Sequence, residues 1–240
     1  MNPNKLPDGI KLSFILLAYN QPDITAQRLV EFRKFVDASP FSRVCELVFV
    51  DNGSTADIRQ IKRELESMEA TLVTLKENRG FSGGFNAGFE QVKGEYVILW
   101  SNDVEISNGL PRTLLVALQG FEDVKPLVVA KEIISYPAGW NQFDDFVIPY
   151  PAGYFLVVRR LEWLERGGFD ERFNPHDYED VDVGMWAMQE GGRCIAVGAL
   201  PVQHMGPATI GYNPERRDVT NQNRAKFAEK WDLQLVPETL

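Results

Sequence analysis

Short, continuous apolar runs alternate along the first hundred residues with segments whose apolar residues recur at helical spacing. This alternation limits the fold more than any other feature of the chain. The runs are SFILLAYN, VCELVFV, TLVTL and EYVILW, beginning at residues 13, 44, 71 and 95. Between them apolar residues recur at helical spacing, as at Ile58, Ile61 and Leu65. Strands that alternate with helices lie parallel, joined by right-handed crossovers. The sequence therefore predicts an α/β protein with a Rossmann-like, mostly parallel central sheet flanked by helices.

Polar residues stand where three of these strands end. Tyr19 and Asn20 follow the first strand, Asp51 ends the second, and Asp103 follows the fourth. In open α/β sheets ligands bind at the carboxyl ends of the strands. The sequence therefore predicts a binding site at this edge of the sheet.

The second half of the chain is less regular. PLVVAKEII and AGYFLVV are further predicted strands, and residues 135–151, rich in proline, glycine and aromatics, are predicted to form a loop over the site. Val181 and Met185 recur at helical spacing, which places Glu179 and Asp180 near a helix N-terminus.

Charge and hydropathy exclude several classes of protein. With 25 Lys and Arg against 34 Asp and Glu, the net charge of −9 opposes nucleic-acid binding. Apolar stretches fall short of the ~20 residues of a membrane helix, and the N-terminus lacks a signal-peptide pattern. We expect a cytoplasmic protein with at most peripheral membrane contact.

Cys45 and Cys194 lie in strand-like runs and are expected to be ordinary buried thiols.

The glycine cluster GFSGGFNAG does not match the common nucleotide-binding loops. It follows the third strand instead of the first, fits the dinucleotide spacing poorly and lacks the Gly-Lys-Ser/Thr of a P-loop. Two readings stay open: a tight strand-to-helix turn with small residues for close packing, or a close approach of the backbone to a ligand.

The ordered series LAYN, VDNGS, ENRGFSGGFNAGF, SNDV, AGYFLVVRRLEWLERGGFDERF, YEDVD, QHMG and NQNRAKFAEKW resembles glycosyltransferase family 2, in its rhamnosyltransferase-like form. The resemblance runs from Ser13 to Trp231. It implies the GT-A fold, a nucleotide-diphosphate-sugar donor, Mn²⁺ or Mg²⁺, and inversion at the anomeric carbon. It also implies one domain over 1–240, with a donor half at about 10–104 and a smaller acceptor and catalytic-base half at about 105–240.

The resemblance also implies the donor-binding residues. Asp51 is expected to accept the N3–H of uracil or thymine, with a turn-closing role as the alternative. Tyr19 would line or stack on the base, or lie at the rim, and Arg79 would pair with phosphate or ribose, or be a surface arginine. The full nucleotide-binding set is Ala18, Tyr19, Asn20, Asp51, Asn78, Arg79, Gly83, Ser101 and Asn102.

By the same resemblance Asp103 binds the divalent ion that bridges the donor diphosphate, and His204 completes the coordination. The segment reads Ser101-Asn102-Asp103, so a serine replaces the first acid of the family's Asp-x-Asp element and leaves Asp103 as the one strong oxygen ligand there. The alternatives are a helix cap at Asp103 and a structural or exposed histidine at His204.

Asp180 is expected to be the general base that removes the acceptor proton, with Glu179 positioning the acceptor. The acidic cluster also suits a helix N-terminus, and both readings can hold together. Trp140, His176 and Asp182 are the expected acceptor-binding residues, and a plain surface loop is the alternative for Trp140.

The resulting hypothesis is an inverting, metal-dependent glycosyltransferase with a dTDP- or UDP-linked donor, dTDP-rhamnose and UDP-hexoses leading. The acceptor would be a saccharide or a lipid-linked saccharide. The alternatives are a non-catalytic nucleotide-sugar-binding homologue, suggested by Ser101, and a nucleotidyltransferase, which would need a glycine- and lysine/arginine-rich signature where this chain has AYNQPD.

Overall fold

The computed structural model describes residues 12–37, 44–137, 141–143, 146–206 and 214–235. The strands in these segments are β1 (Leu12–Ala18), β2 (Cys45–Asp51), β3 (Thr71–Thr74), β4 (Tyr96–Ser101), β5 (Val104–Ile106), β6 (Leu127–Ala130), β7 (Ile133–Ile134), β8 (Gln142–Phe143), β9 (Phe146–Val147), β10 (Tyr150–Pro151), β11 (Phe155–Arg159), β12 (Arg193–Ala196) and β13 (Val202–His204). The α-helices are α1 (Pro22–Asp37), α2 (Arg59–Ser67), α3 (Gly80–Phe89), α4 (Leu110–Gln119), α5 (Arg160–Arg166), α6 (Glu179–Gln189) and α7 (Pro214–Trp231), and a 3-10 helix covers Glu171–Phe173.

Seven strands form one central sheet in the order β12-β6-β11-β4-β1-β2-β3. β1 lies between β2 and β4 and is parallel to both. β3 is parallel to β2, and β12 is parallel to β6. Only β11 runs against its neighbours in this sheet, since it is antiparallel to β4 and to β6. The predicted α/β class and mostly parallel sheet are confirmed.

Helices cover both faces of the sheet, which explains why all seven residues of β1 are buried. Phe14 and Leu16 face a core with apolar residues from α1, α2 and α4. Ile15 and Leu17 face a second core built with residues of α3, α5 and α6. A strand buried on both faces is almost continuously apolar, as the run FILLA after the buried Ser13 is.

The glycines of α3 bring this helix close to the sheet. A Cβ atom at Gly84 would lie 2.5 Å from Leu17 Cδ1, and one at Gly88 would lie 2.6 Å from Ile15 Cγ2. The helix begins at Gly80, whose φ of 71° favours glycine. Of the two readings of the glycine cluster, these contacts match close packing after a tight turn.

Residues 135–151 are more ordered than a plain loop, where the structure describes them. Asn141 is buried, and its side-chain amide donates to the carbonyl oxygens of Tyr136 and Ile148. β8 pairs with β9, and β10 pairs with β7. The buried amide of Asn141 thus links two parts of this segment, at Tyr136 and at Ile148.

The C-terminal helix α7 closes a third apolar cluster. Phe227 is fully buried and packs against Phe143, Phe173 and Tyr178. This packing joins α7 to the segment just before α6.

In the described segments, no helix combines the length and apolar character needed to cross a bilayer. Cys45 and Cys194 are free thiols. Cys45 is buried and Cys194 is half-buried, and burial raises the pKa of each thiol to about 12.

Candidate active site

A cavity of about 590 Å³ opens at the edge of the sheet where β1, β2 and β4 end. Backbone hydrogen bonds tie these ends together, because Asn52 N–H donates to Ala18 O at 2.9 Å and Asn102 N–H donates to Leu17 O at 3.2 Å. The cavity is lined by Leu17, Tyr19, Asn52, Asn78, Gly80, Phe81, Ser101, Asn102, Asp103, Ile134, Tyr150, Ala152, Gly153, Tyr154, Pro175, His176, Asp177, Glu179, Asp180, His204 and Arg216.

The cavity brings together most of the residues expected from the sequence. Those that line it are Tyr19, Asn78, Ser101, Asn102, Asp103, His176, Glu179, Asp180 and His204. Of the expected residues that the structure describes, those outside its lining are Ala18, Asn20, Asp51, Arg79, Gly83 and Asp182. Trp140 lies outside the described residues. Asp103 and Asp180, distant in the chain, therefore share one cavity.

Asp103 and His204 are held side by side by a two-stranded ladder. β5, which follows Asp103, pairs antiparallel with β13, so that Val104 lies opposite His204. Met205 N–H then donates to Asp103 O at 2.9 Å. As a result His204 Nε2 lies 3.4 Å from Asp103 Oδ2.

This pair fits a divalent cation. Asp103 Oδ1 is buried and has no hydrogen-bond partner, so a carboxylate oxygen is left for a cation. Two neighbouring ligand atoms that each lie ~2.1 Å from an octahedral ion are about 3 Å apart. The distance of 3.4 Å between His204 Nε2 and Asp103 Oδ2 is close to this value. The described residues contain no group of three or more His, Cys, Asp or Glu that could hold a metal. A cation here would keep positions for oxygen atoms from a ligand.

Asp180, which also lines the cavity, belongs to the first turn of α6. Its Oδ1 accepts the N–H of Val181 at 2.8 Å. Burial raises the pKa of this carboxyl to about 7, because it outweighs the Val181 hydrogen bond and is reinforced by the negative charge of Asp177. A carboxyl group with such a pKa can take up a proton near neutral pH.

Glu179 is buried beside Asp180, and its Oε2 has no hydrogen-bond partner. Burial raises the pKa of Glu179 well above its ordinary value, and the neighbouring Asp180 adds to the rise. This unpartnered oxygen leaves Glu179 able to accept or donate a hydrogen bond within the cavity.

The backbone before α6 adopts an unusual conformation. Asp177 and Tyr178 both have positive φ angles, 68° and 79°, which non-glycine residues rarely adopt. Helix α7 holds this segment through Asn223. The side-chain nitrogen Nδ2 of this residue lies within 3.0 Å of the carbonyl oxygens of Phe173, His176 and Asp177. The surrounding structure thus fixes a backbone that would otherwise relax.

Arg216, also in α7, holds the side chain of Asp177. Its Nη2 donates to Asp177 Oδ1 at 2.6 Å and its Nε donates to Oδ2 at 3.1 Å, while Thr220 Oγ1 donates to Oδ2 at 2.7 Å. Burial opposes ionisation of Asp177, but its contacts with His176, Arg216 and Thr220 hold its pKa far below the usual range. Sequence reasoning missed Arg216, and no signal in the sequence distinguishes it from Arg217.

Asn52 organises the loop at the donor side. Its Oδ1 accepts the N–H of Arg79, and its Nδ2 donates to Asn78 Oδ1 and to Gly80 O. The sequence places Asn52 among the polar residues at this edge of the sheet, but it was not included in the expected nucleotide-binding set. The Asn52 amide therefore links the end of β2 to the start of α3.

Three expected donor residues stabilise the same region from outside the cavity. Asp51 Oδ1 accepts the N–H of Ser54 at 2.9 Å, which is the turn-closing alternative. Asn20 Oδ1 accepts the N–H groups of Thr55 and Ala56. Arg79 forms an ion pair with Glu171 at 3.1 Å.

Two further residues of the expected nucleotide-binding set, Ala18 and Gly83, also lie outside the cavity lining. Ala18 is buried in β1 and accepts the N–H of Asn52. Gly83 is buried in α3, where a Cβ atom would lie 2.9 Å from Arg79 Cβ. Base and phosphate contacts for these residues stay predictions.

The structure places Asp182, an expected acceptor-binding residue, outside the cavity lining, and its acceptor role stays a prediction. This residue is fully buried on the side of α6 away from the cavity lining, and both of its oxygens are occupied. Oδ2 accepts from Arg166 at 2.6 Å and from Lys230 at 2.8 Å, and Oδ1 accepts from Trp231 Nε1 at 2.8 Å. An acidic residue two positions along a helix from Asp180 points elsewhere, because neighbouring helical positions do not share a face.

Comparisons with known proteins agree with this architecture. The family model "Glycosyl transferase family 2" matches residues 13–174. The chain belongs to glycosyltransferase family 2. It is 30% identical over 119 residues to the undecaprenyl-phosphate 4-deoxy-4-formamido-L-arabinose transferase of Pseudomonas savastanoi; the match covers 47% of this chain and 34% of that protein. The chain thus spans about a third of the length of this curated relative.

Solved structures share the fold at low identity. The mannosyltransferase PcManGT of Pyrobaculum calidifontis, in complex with GDP-Man and Mn²⁺, has a TM-score of 0.69 at 20% identity over 98% of this chain and 68% of its own. GalNAc-T7 with UDP, GalNAc and Mn²⁺ has a TM-score of 0.67 at 15% identity, covering 93% and 49%. S. aureus TarS 1-349 with UDP-GlcNAc has a TM-score of 0.59 at 17% identity, covering 90% and 66%. The expected GT-A fold is confirmed.

Proposed function

We propose that this chain is an inverting glycosyltransferase that moves a sugar from a nucleotide-diphosphate-sugar donor to a hydroxyl of a saccharide or lipid-linked saccharide. The observation that carries the proposal is that Asp103 and Asp180 line the same cavity. One carboxylate has a buried oxygen free for a cation, and the other has a pKa of about 7. Membership of glycosyltransferase family 2 supports this assignment.

The donor lies along the ends of β1, β2 and β4 in this proposal. Tyr19 and Asn78 contact the nucleoside, and Ser101 and Asn102 approach the phosphates. Asp103 and His204 hold Mn²⁺ or Mg²⁺, which when bound neutralises the charge of the leaving diphosphate. The Mn²⁺ complexes of PcManGT and GalNAc-T7 support Mn²⁺ as the first ion to test. dTDP- and UDP-sugars are the first donors to test, because Asp51, which ends β2 just outside the cavity lining, stays the expected base-recognition residue.

The acceptor hydroxyl approaches from the Asp180 side of the cavity. As its oxygen bonds to the anomeric carbon, its proton passes to a carboxylate oxygen of Asp180. The bond from the anomeric carbon to the phosphate oxygen breaks, and the nucleoside diphosphate leaves with the bonding electron pair. Attack on the face opposite the leaving group inverts the anomeric centre. Glu179 and His176 orient the acceptor.

We divide the chain in this proposal into a donor half, about 10–104, and an acceptor and base half, about 105–240, within one domain. We also propose a cytoplasmic location with at most peripheral membrane contact. The similarity to a transferase named for undecaprenyl phosphate supports the peripheral membrane contact.

A thermal-shift panel tests donor and cation together. The protein is melted with UDP, dTDP, GDP and CDP and their sugars, each with and without Mn²⁺, because a ligand that binds only the folded state raises Tm. We expect a shift from UDP or dTDP compounds that requires Mn²⁺ in the wild type and disappears in Asp103→Ala. Asp123→Ala, which removes an exposed carboxylate outside the cavity lining, is the matched control. A panel without any Mn²⁺-dependent shift would contradict the proposal.

A non-catalytic nucleotide-sugar-binding protein is the second candidate, because Ser101 stands where the family's first acidic residue is expected. The donor that gives the largest shift is incubated with the protein and Mn²⁺, and release of nucleoside diphosphate is measured with and without candidate acceptors. Catalysis predicts transfer or slow donor hydrolysis, and binding without either favours the second candidate. Release of inorganic diphosphate from a nucleoside triphosphate and a sugar phosphate would instead indicate a nucleotidyltransferase.

A further inference from the structure

The ring of Tyr154 stacks on the ring of His204. The two ring centroids are 4.4 Å apart, and the planes differ by 8°. Both residues line the cavity, and His204 Nε2 points to within 3.4 Å of Asp103 Oδ2. The stack therefore sets the plane in which the histidine nitrogen faces the proposed cation.

A histidine that binds a metal is usually oriented by a hydrogen bond to its other ring nitrogen. Within the part of the chain that the structure describes, nothing hydrogen-bonds to Nδ1 of His204; the ring's polar contact is the one between Nε2 and Asp103. The ladder between β5 and β13 fixes the backbone of His204 but leaves the ring free to turn about its side-chain bonds. The stacked Tyr154 ring restrains that rotation.

Tyr154 is itself held at both ends. Its hydroxyl donates to Glu132 Oε1 at 3.1 Å, and its carbonyl oxygen accepts the N–H of Ser101 at 3.3 Å. The residue directly precedes β11, which pairs with β4, so its backbone is continuous with the central sheet. A ring fixed in this way can restrain a neighbouring ring.

We propose that Tyr154 is a positioning residue of the cation site, which orients His204 through the face of its ring in place of the usual hydrogen bond to Nδ1. The inference rests on the proposed function, because it takes Asp103 and His204 as the cation ligands. It adds a role for a residue that touches neither the cation nor the reacting atoms.

Direct Mn²⁺ binding without donor tests the proposal, since Tyr154 also lines the cavity and a substitution could alter donor contacts. Mn²⁺ affinity is measured by calorimetry and by electron paramagnetic resonance for the wild type and for Tyr154→Leu, Tyr154→Phe and His204→Ala. We expect Tyr154→Leu to lose about 10- to 100-fold in affinity, the range for residues that orient metal ligands. Tyr154→Phe keeps the ring and should stay within about threefold of the wild type.

Circular dichroism and metal-free melting verify that each variant folds, and Glu132→Gln separates the hydroxyl contact from the ring. Equal Mn²⁺ affinity in Tyr154→Leu and the wild type would overturn the inference and leave the proposed function intact. A loss in Tyr154→Phe as large as in Tyr154→Leu would also overturn it, because the hydroxyl would then be the important group. A wild type that binds no Mn²⁺ would overturn both the cation site and this inference.

Discussion

Arg216, in helix α7, donates hydrogen bonds to both carboxylate oxygens of Asp177. Asp177 lies three residues before the proposed base, Asp180. The two hydrogen bonds measure 2.6 and 3.1 Å, and together they anchor a residue whose φ is 68°. Asp180 follows at the first turn of α6, so its place in the cavity depends on a contact made from a distant part of the chain. This relationship connects the end of the sequence to the proposed chemistry.

Replacing Asp180 with asparagine should remove the base while keeping the size of the side chain. We expect the transfer rate to fall about 10²- to 10⁴-fold, the usual contribution of a positioned proton acceptor. Donor and Mn²⁺ binding, measured by calorimetry, should stay near the wild-type values. Glu190→Gln, at the exposed end of the same helix, is the matched control. Normal turnover in Asp180→Asn would exclude Asp180 as the base.

The pH dependence of transfer should follow the ionisation of Asp180. Burial raises the pKa of this carboxyl to about 7, and the base must be ionised to accept a proton. The value of kcat/KM should therefore increase with pH up to about 7 and then level off. A steady-state profile from pH 5 to 9 measures this, and a limb near pH 4 would contradict the assignment.

The raised pKa also predicts a pH-dependent stability. A carboxyl group whose folded-state pKa lies above its unfolded value contributes stability at low pH that is lost as pH rises through 7. Asp180→Asn should therefore melt at a higher temperature than the wild type at pH 8, with a smaller difference at pH 5. Differential scanning calorimetry at both pH values measures the two differences. A difference in melting temperature at pH 5 that equals or exceeds the difference at pH 8 would contradict a raised pKa for the buried Asp180.

Substituting Arg216 with lysine should disturb the base segment. A lysine cannot reproduce the two-pronged contact of a guanidinium with a carboxylate. We expect kcat to fall about tenfold or more, with a smaller decrease in Thr220→Val, which removes one further hydrogen bond to Asp177 and does not line the cavity. Arg217→Lys, an exposed neighbour, is the control. Wild-type kcat in Arg216→Lys would show that the contact with Asp177 does not position the base.

Asp182 should matter for stability more than for chemistry. Asp182→Ala leaves Arg166 buried without its carboxylate partner, and breaking a buried ion pair in this way costs about 3–5 kcal/mol of unfolding free energy. Urea denaturation measures the loss, and Asp218→Ala, an exposed residue of α7, should change stability by less than about 0.5 kcal/mol. A stable Asp182→Ala variant with impaired acceptor binding would instead support the acceptor role expected from the sequence.

Several site residues were predictable because they follow strands. Tyr19, Asn102 and Asp103 come directly after β1 or β4, and parallel strands bring such positions to one edge. Glu179 and Asp180 were placed at a helix start by the spacing of apolar residues. Asp182 was not predictable in this way, because its burial depends on Arg166, Lys230 and Trp231, which come from two other helices.

The sequence by itself determined the alternation of strand and helix, the sheet edge at which the cavity opens, and the residue types that could hold a cation or take up a proton. These features are local, since they follow from the periodicity of apolar residues and from where each run stops. Only the tertiary structure decided that Asp103 and Asp180 share a cavity, that Tyr154 stacks on His204, and that Arg216 anchors Asp177. Such contacts join segments far apart in the chain, and their geometry depends on how the helices pack against the sheet.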